Sequence, residues 1–325
     1  MKIDVNELFD GIKKSNVTAL SRAITIVESK AKKHQIFASQ LVNLAKSEKK
    51  QSIRIGISGM PGSGKSTFID SFGMMLTNLN YKVAVIAVDP SSTVSKGSIL
   101  GDKTRMEELS QSENSFIRPS PSGGYLGGTA GKTRDLISLF EAANYDIIIV
   151  ETVGIGQSET EVKTMVDFFL LLILPAGGDE LQGIKKGAVE LADMIIINKA
   201  DGDKLKLAKR TKLDYHQAVR ILGQSNKFDK KVVLCSALEK TGLDKIWKQI
   251  IEYTQAENYS SLLEENRKKQ DEYWVDKTFR NTIIDYITSN PNIKSKIVDL
   301  KSKILQNEIS TELALIELLD SINIE

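Results

Sequence analysis

The sequence predicts an α/β protein with a mostly parallel central sheet and helical segments at both ends of the chain. Between residue 52 and about residue 249, short β-rich apolar runs alternate with helical stretches. These runs show little polar alternation, which is typical of strands covered on both faces. Beyond about residue 250 the runs stop. Alternating strands and helices indicate a doubly wound sheet, and the apolar runs define its strands.

Six strands are predicted, at residues 53–58, 83–88, 147–150, 169–174, 194–197 and 232–234. Ahead of them, apolar residues at helical spacing predict two helices. The first helix carries Leu20, Ala23, Ile24 and Val27, and the second carries Phe37, Leu41 and Leu44.

The C-terminal segment is rich in Lys, Glu, Ile and Leu and is predicted to be helical. Pro291 predicts a break between two helices. A last helix is expected to carry Ile304, Leu305, Ile309, Leu313, Ile316 and Leu319. We therefore expect three regions: a helical extension at residues 1–50, a nucleotide-binding domain at 51–255 and a helical region at 256–325.

Composition limits the possible function classes. The 325 residues are 41% hydrophobic, and 44 Lys and Arg nearly balance 42 Asp and Glu, giving a net charge of +2. This balance does not favour a nucleic-acid binder. Cys235 is the single cysteine, which excludes an internal disulfide and fits a reducing compartment. The N-terminus lacks a signal-peptide pattern, and the apolar run at 168–174 is too short to span a bilayer. We expect a cytoplasmic protein without a nucleic-acid or membrane partner.

Residues 59–66 match the phosphate-loop pattern G-x-x-x-x-G-K-S, between an apolar strand and a helical stretch. Glycines in such a loop let backbone N–H groups point at phosphates, the lysine reaches the β- and γ-phosphates, and the serine hydroxyl can ligate Mg²⁺. The predicted nucleotide-binding residues here are Gly59, Pro61, Gly62, Ser63, Gly64, Lys65, Ser66 and Thr67.

Asp89 follows the second predicted strand. The helix predicted over residues 67–79 leads through a short turn into that strand, so the two strands around it form a parallel, right-handed crossover. The end of the second strand then lies at the same sheet edge as the phosphate loop. We expect Asp89 to face the nucleotide, and a turn cap before Pro90 is the alternative interpretation.

Asn198, Lys199 and Asp201 form an N-K-x-D motif directly after the strand at 194–197. The Asp201 carboxylate can accept both the N1–H and the exocyclic amine of guanine. Adenine lacks this donor pair and would leave a buried carboxylate unpaired. The motif therefore predicts guanine specificity. Three residues that follow the strand at 232–234 fit a further base-contacting loop: Ser236, Ala237 and Leu238.

The strand at 147–150 ends in Glu151, followed by Gly154. Many GTPases have D-x-x-G at this point, with the acid near Mg²⁺ and the glycine amide on the γ-phosphate, and often a glutamine directly after the glycine. Here Glu replaces Asp, Ile155 follows the glycine, and Gln157 lies two residues further on. The residue that orients the attacking water is therefore not evident.

Three longer stretches resemble one family. Residues 89–92 read D-P-S-S, residues 97–106 read G-S-I-L-G-D-K-T-R-M, and residues 151–159 read E-T-V-G-I-G-Q-S-E. Together they resemble the MeaB/ArgK family, which includes the methylmalonic aciduria type A protein. Members are GTPase metallochaperones that assist cofactor loading and protection of adenosylcobalamin-dependent acyl-CoA mutases. The resemblance extends over nearly the whole chain, including R-A-I-T at residues 22–25.

This resemblance implies a P-loop NTPase fold of the SIMIBI class and a homodimer formed through the C-terminal helical arm. We expect Lys65, Asp89 and Glu151 to be the catalytic residues. The resemblance also implies that four residues surround Mg²⁺ and the γ-phosphate of GTP: Ser66, Asp89, Asp102 and Glu151.

Residues 176–185, including Gln182 and Lys185, resemble the family's third switch loop, which communicates with the mutase. The residues alone indicate a flexible loop beside the site. A mutase on a separate chain is the implied partner, with methylmalonyl-CoA mutase the expected one.

Three other functions remain as alternatives. A nickel-insertion GTPase would carry metal-handling His or Cys clusters, whereas His34, His216 and Cys235 are far apart in sequence. An ATP-dependent kinase linked to basic amino-acid transport would not need N-K-x-D. A nucleotide-stabilised scaffold without catalysis is compatible with the missing glutamine.

Overall fold

The computed structural model describes residues 4–29, 31–48, 52–89, 105–121, 126–152, 158–175, 186–222, 230–256 and 259–322. Within these residues, seven strands form one sheet in the order β3-β2-β4-β1-β5-β6-β7, and every pairing is parallel. The strands are β1 (Ile53–Gly59), β2 (Val83–Asp89), β3 (Ser115–Pro121), β4 (Ile147–Glu151), β5 (Phe168–Ile173), β6 (Met194–Ile197) and β7 (Lys231–Leu234). The predicted parallel sheet is confirmed.

Helices connect the strands and cover the sheet. In the first part of the chain they are α1 (Val5–Lys13), α2 (Val17–Glu28), α3 (Lys32–Ser47), α4 (Lys65–Asn78), α5 (Glu107–Gln111), α6 (Leu126–Ala142) and α7 (Ser158–Lys163). They continue with α8 (Lys186–Leu191), a 3-10 turn at Gly202–Lys204, α9 (Leu205–Leu222) and α10 (Leu243–Thr254). The last three are α11 (Tyr259–Ser289), α12 (Pro291–Leu305) and α13 (Thr311–Asp320). No helix among the described residues is long and apolar enough to cross a membrane.

The central strands β4 and β5 are buried along their whole length, as their unbroken apolar runs predict. On one face, α4 and α10 pack on the sheet. Phe68 and Phe72 of α4 stack with ring centroids 5.3 Å apart, and Trp247 of α10 meets Phe72 edge-on at 6.3 Å. These contacts fix the start of α4, and with it the loop that joins it to β1.

Strand β3 was not predicted from the sequence. It contains Pro119 and Pro121, which cannot donate ladder hydrogen bonds, and it lies at the edge of the sheet, where prolines are tolerated. Its Arg118 interrupts the apolar pattern and forms a two-point ion pair with Glu28 at the end of α2. An edge strand of this composition lacks the continuous apolar run by which the other strands were identified.

The N-terminal extension contains three described helices, where the apolar spacing predicted two. The additional α1 is capped by the Asp4 carboxylate, which accepts from the backbone N–H groups of Asn6 and Glu7 at 3.0 and 3.1 Å. Helices α1 to α3 pack on one another and on α6. Asn144, two residues after the end of α6, donates to the Lys13 carbonyl at 2.9 Å and so connects the end of α6 to the end of α1.

The chain divides into two units, Met1–Lys268 and Lys269–Glu325. In the second unit, Pro291 occupies the first turn of α12 behind the cap Asn290, as proline favours. The predicted single last helix is instead two helices, because Asn307 adopts a positive φ of 57° between them. The ion pair Lys296–Glu317 at 3.3 Å joins α12 to α13.

A buried cluster of charged residues lies where β1 and β5 begin. Arg54 of β1 donates to both carboxylate oxygens of Glu141 at 2.9 Å. Arg267 of α11 donates to both oxygens of Asp167 at 2.9 and 2.8 Å, and to the Ser52 carbonyl at 2.7 Å. Burial lowers the pKa of Arg267, but the hydrogen bonds to Asp167 together with the negative charges of Asp167 and Glu141 act in the opposite direction, and its pKa is raised.

We predict that Arg267→Ala lowers the free energy of unfolding by about 3–5 kcal/mol, because it leaves the buried Asp167 carboxylate without its bidentate partner. Urea denaturation checks this. Lys268→Ala, at the exposed neighbouring position, is the matched control and should stay within about 0.5 kcal/mol of the parent. A loss below about 1 kcal/mol for Arg267→Ala would contradict the prediction.

Candidate nucleotide site

The predicted phosphate loop lies between β1 and α4, at the carboxyl edge of the sheet. Gly62 and Gly64 have φ angles of 79° and 84°, a left-handed conformation that favours glycine. Gly64 is also the residue that precedes the first turn of α4. A Cβ at Gly64 would lie 2.7 Å from Asn198 Nδ2, so the position has no room for a side chain. The loop thus leads into the N-terminus of α4, and backbone N–H groups at such a helix start can bind an anion.

Lys65, the first residue of α4, folds back over this loop. Its Nζ donates to the Gly59 carbonyl at 2.8 Å and to the Met60 carbonyl at 3.4 Å. Burial lowers the pKa of Lys65, and the Glu151 carboxylate opposes this shift by favouring the cation. Lys65 and Glu151 therefore lie close enough for their charges to interact.

Ser63, Ser66 and Thr67 complete the predicted loop. Ser63 is fully buried, and its Oγ has no hydrogen-bond partner among the described residues. Ser66 is half-buried and Thr67 exposed, both in the first turn of α4. The Ser66 hydroxyl and the Glu151 carboxylate are hard oxygen donors of the kind that Mg²⁺ prefers, so the chemistry of these two residues fits such an ion.

Glu151 is the last residue of β4 and is 8% exposed. The following residue, Thr152, ties this strand end to the phosphate-loop strand. Its hydroxyl donates to Ser58 Oγ at 2.8 Å, and its backbone N–H donates to the Ile57 carbonyl at 2.9 Å. The end of β4 is thereby fixed beside the end of β1.

Asp89 is the last residue of β2. Because Ala87 of β2 is paired in parallel with Glu151 of β4, the Asp89 backbone lies at the same sheet edge as the phosphate loop. Four further predicted site residues lie outside the described residues: Asp102, Gly154, Gln182 and Lys185.

The Asn198 side chain joins two loops of the site. It is 1% exposed and follows β6, where its backbone N–H donates to the Ile173 carbonyl at 2.9 Å. Its Nδ2 donates to the carbonyl of Ser63 in the phosphate loop at 2.8 Å. Its Oδ1 accepts from the backbone N–H of Ala237 at 3.1 Å. One carboxamide thus connects the phosphate loop to the loop after β7.

Asp201 lies beside that second loop. The Ser236 hydroxyl donates to the Asp201 carboxylate and accepts from the backbone N–H of Glu239 at 3.1 Å. Asp201 is half-buried, and Leu238 is 74% exposed. This arrangement holds the carboxylate in one orientation and leaves part of it accessible.

Lys199 stands between these elements with a φ of 57°. A Cβ at Gly64 would lie 3.6 Å from its Cε, which shows that the Lys199 side chain runs along the phosphate loop. An apolar stem in this position can cover one face of a flat base.

Two hydroxyl groups of the site were not predicted from the sequence. Ser71 of α4 donates to the Ala237 carbonyl at 2.8 Å, and Ser58 pairs with Thr152. Both serines are buried polar residues in otherwise apolar segments. That pattern was the available signal, because buried hydroxyl groups need partners.

Comparisons with known proteins bear on this arrangement. The sequence profile of Methylmalonyl Co-A mutase-associated GTPase MeaB matches residues 20–292. GTPase ArgK of Escherichia coli (strain K12) is 47% identical over 272 residues, covering 83% of this chain and 82% of that protein. The mitochondrial methylmalonic aciduria type A homolog of Mus musculus is 41% identical over 317 residues, covering 94% of this chain and 76% of that protein.

A solved structure, that of a LAO/AO transport system kinase, superposes with a TM-score of 0.80 at 36% identity and covers 98% of this chain and 99% of its own. The family resemblance noted in the sequence is confirmed by the profile and by these relatives. Membership implies a bound guanine nucleotide and nucleotide hydrolysis. The chain therefore belongs to the MeaB family of methylmalonyl-CoA mutase-associated GTPases.

Proposed function

We propose that this protein is a Mg²⁺-dependent GTP hydrolase that assists cofactor loading and protection of an adenosylcobalamin-dependent acyl-CoA mutase. The observation that carries the nucleotide part is the Asn198 carboxamide, which brings the phosphate loop and the loop after β7 together. Asp201, held by the Ser236 hydroxyl, supplies an acceptor pair that guanine satisfies and adenine does not.

We propose the following roles for the predicted site residues. Lys65 stabilises charge on the β- and γ-phosphates. Ser66, Asp89, Asp102 and Glu151 hold Mg²⁺ directly or through water. The bound ion would neutralise phosphate charge during hydrolysis. The proposed nucleotide contacts comprise Gly59, Pro61 to Thr67, Gly154, Asn198, Lys199, Asp201 and Ser236 to Leu238.

The partner we propose is methylmalonyl-CoA mutase on a separate chain. Support comes from the family description, which names that mutase, and from the mouse relative, whose name refers to methylmalonic aciduria. We also propose a cytoplasmic location, because the single Cys235 is buried and unpaired, which fits a reducing compartment.

A homodimer formed through the helical region at residues 256–325 belongs to the same proposal. Within the second unit, α12 and α13 expose many large apolar side chains that a second copy could cover. The most exposed on these helices are Val298, Leu305, Ile316 and Leu319, at 68%, 84%, 56% and 66%.

A kinase linked to transport is the competing function, because the similar solved structure carries that description. ATP use would favour it, whereas Asp201 favours guanine. Nickel insertion has less support: no group of three His, Cys, Asp or Glu residues that could hold a metal occurs among the described residues.

We predict that Asp201→Asn weakens GTP binding about 30-fold, since the substitution removes the charged acceptor of two guanine hydrogen bonds. The same variant should gain affinity for xanthosine triphosphate. Displacement of a fluorescent GDP analogue measures both affinities. ATP competing as well as GTP against the parent protein would contradict guanine specificity.

We predict that Lys65→Ala lowers kcat for GTP hydrolysis by at least about 10²-fold, because it removes the protein cation at the transferred phosphoryl group. Glu151→Ala, Asp89→Ala and Asp102→Ala should each lower the Mg²⁺-dependent rate more than they weaken GDP binding. Phosphate release over a Mg²⁺ titration is the measurement. Normal turnover in all three carboxylate variants would rule out the proposed metal site.

We predict that intrinsic hydrolysis is slow and that the mutase accelerates it, because no glutamine directly follows Gly154 to orient water. Positioning groups supplied by a partner or by loop closure are worth about 10³–10⁵ in rate in other GTPases. Lys185→Ala should reduce the stimulation and leave the basal rate unchanged. GTP hydrolysis is measured while the mutase is titrated in, and a constant rate up to saturation would refute activation.

A further inference from the structure

Helix α9 follows the candidate guanine-binding motif and covers one end of the sheet. It packs on β6 and β7 through Ala208, Thr211 and Tyr215, which are 0%, 0% and 3% exposed. Their spacing of three and four residues defines one buried face. The opposite face of α9 therefore points to solvent.

That outward face carries four cations around an apolar side chain. Lys206, Lys209, Arg210 and Arg220 are exposed, and Leu213, at the centre of the same face by helical spacing, is 64% exposed. We call these five residues the basic α9 face. None of its four cations forms an ion pair with another described residue.

Positive charge is concentrated on helix α9. Leu205–Leu222 contains five Lys or Arg residues and one acidic residue, Asp214, so its formal charge is +4, whereas the whole chain carries +2. Like charges at spacings of three and four residues destabilise a helix. The basic α9 face thus carries an electrostatic cost, which the single acid Asp214 offsets only in part, and an acidic surface brought against the face would reduce that cost.

The composition of the basic α9 face disfavours three kinds of binding partner: a second copy of the chain, a membrane and a nucleic acid. A second copy related by twofold symmetry would place cations against cations, which is unfavourable. Membrane insertion needs an apolar helix face, and that of α9 is covered by the sheet. Nucleic-acid binding generally comes with a more basic domain than a pI near 8.3 indicates, and the face has no aromatic side chain on which bases could stack.

A protein surface with acidic groups around an apolar site matches the face. Docking surfaces between proteins combine an apolar contact at the centre with a polar or charged rim. Leu213 supplies the centre and the four cations supply the rim.

We propose that the basic α9 face docks on an acidic surface of the protein partner, with Leu213 as the central contact. The proposal rests on the proposed function only in taking methylmalonyl-CoA mutase as that partner. Because α9 begins directly after Asn198–Asp201 and the 3-10 turn, the docked partner would lie next to the guanine end of the nucleotide site.

The test compares two charge-reversed double variants of the full-length protein. Lys209→Glu with Arg210→Glu changes the basic α9 face. Lys245→Glu with Lys248→Glu, at exposed positions of α10, changes the net charge equally and is the control. Binding to purified mutase is measured by titration calorimetry at several salt concentrations, and unfolding and GDP affinity are measured alongside.

We expect the α9 variant to bind the mutase at least about tenfold more weakly, with a shallower salt dependence, and the α10 control to bind within about twofold of the parent. Leu213→Ala should also weaken binding. Parent protein that binds the mutase, with the α9 variant binding equally well, would overturn the docking proposal alone. Parent protein that does not bind the mutase would overturn it together with the proposed partner. Equal weakening in the α10 control would show a net-charge effect and would also overturn the docking surface. The same conclusion would follow if the α9 variant lost binding to duplex DNA or anionic vesicles but still bound the mutase as the parent protein does.

Discussion

The candidate site depends on the two hydrogen bonds of the Asn198 carboxamide. The group is buried, donates to the Ser63 carbonyl and accepts from the Ala237 N–H, so it sets the distance between the phosphate loop and the loop after β7. An aspartate there would present an acceptor to the Ser63 carbonyl and bury a charge, and an aliphatic residue would leave both backbone groups unpaired. Among side chains of this length, only an amide supplies both a donor and an acceptor.

Glycines lie at close backbone contacts on both sides of this bridge. Gly64 must lack a Cβ because Asn198 Nδ2 occupies the space where the Cβ would lie, 2.7 Å away. Gly242, with a φ of 81°, must lack one because the Leu234 carbonyl would be 2.5 Å away. The loop after β7 can therefore turn at this position only with glycine. The glycines thus allow close contacts between loops, in addition to any contact with phosphate.

Sequence patterns predicted those parts of the molecule that local residues determine. Buried strands such as β5 have continuous apolar runs, and the motif at 59–66 specifies its own loop. Edge strand β3 could not be recognised in this way, because Arg118 interrupts its apolar run and Pro119 is tolerated where the strand lies at a sheet edge, which is a property of topology. The tie between Asn198 and Ser63 joins residues 135 positions apart, so no local spacing encodes it. The serine hydroxyls of α4 and β1 likewise gain meaning only from distant partners.

Strand β1 connects this site to the charged cluster at the other edge of the sheet. At its start, Arg54 is held by Glu141, and the Ser52 carbonyl accepts from Arg267. At its end, Gly59 accepts from Lys65. The strand between is paired with β4 and β5 on both sides, so it cannot slip by one residue without reversing the faces on which its side chains lie. The buried ion pairs at its start therefore help to fix the register in which the phosphate loop is presented, although they lie far from any phosphate. The charged cluster thus contributes both to the stability of the sheet and to the geometry of the site, because it anchors the strand from which the phosphate loop begins.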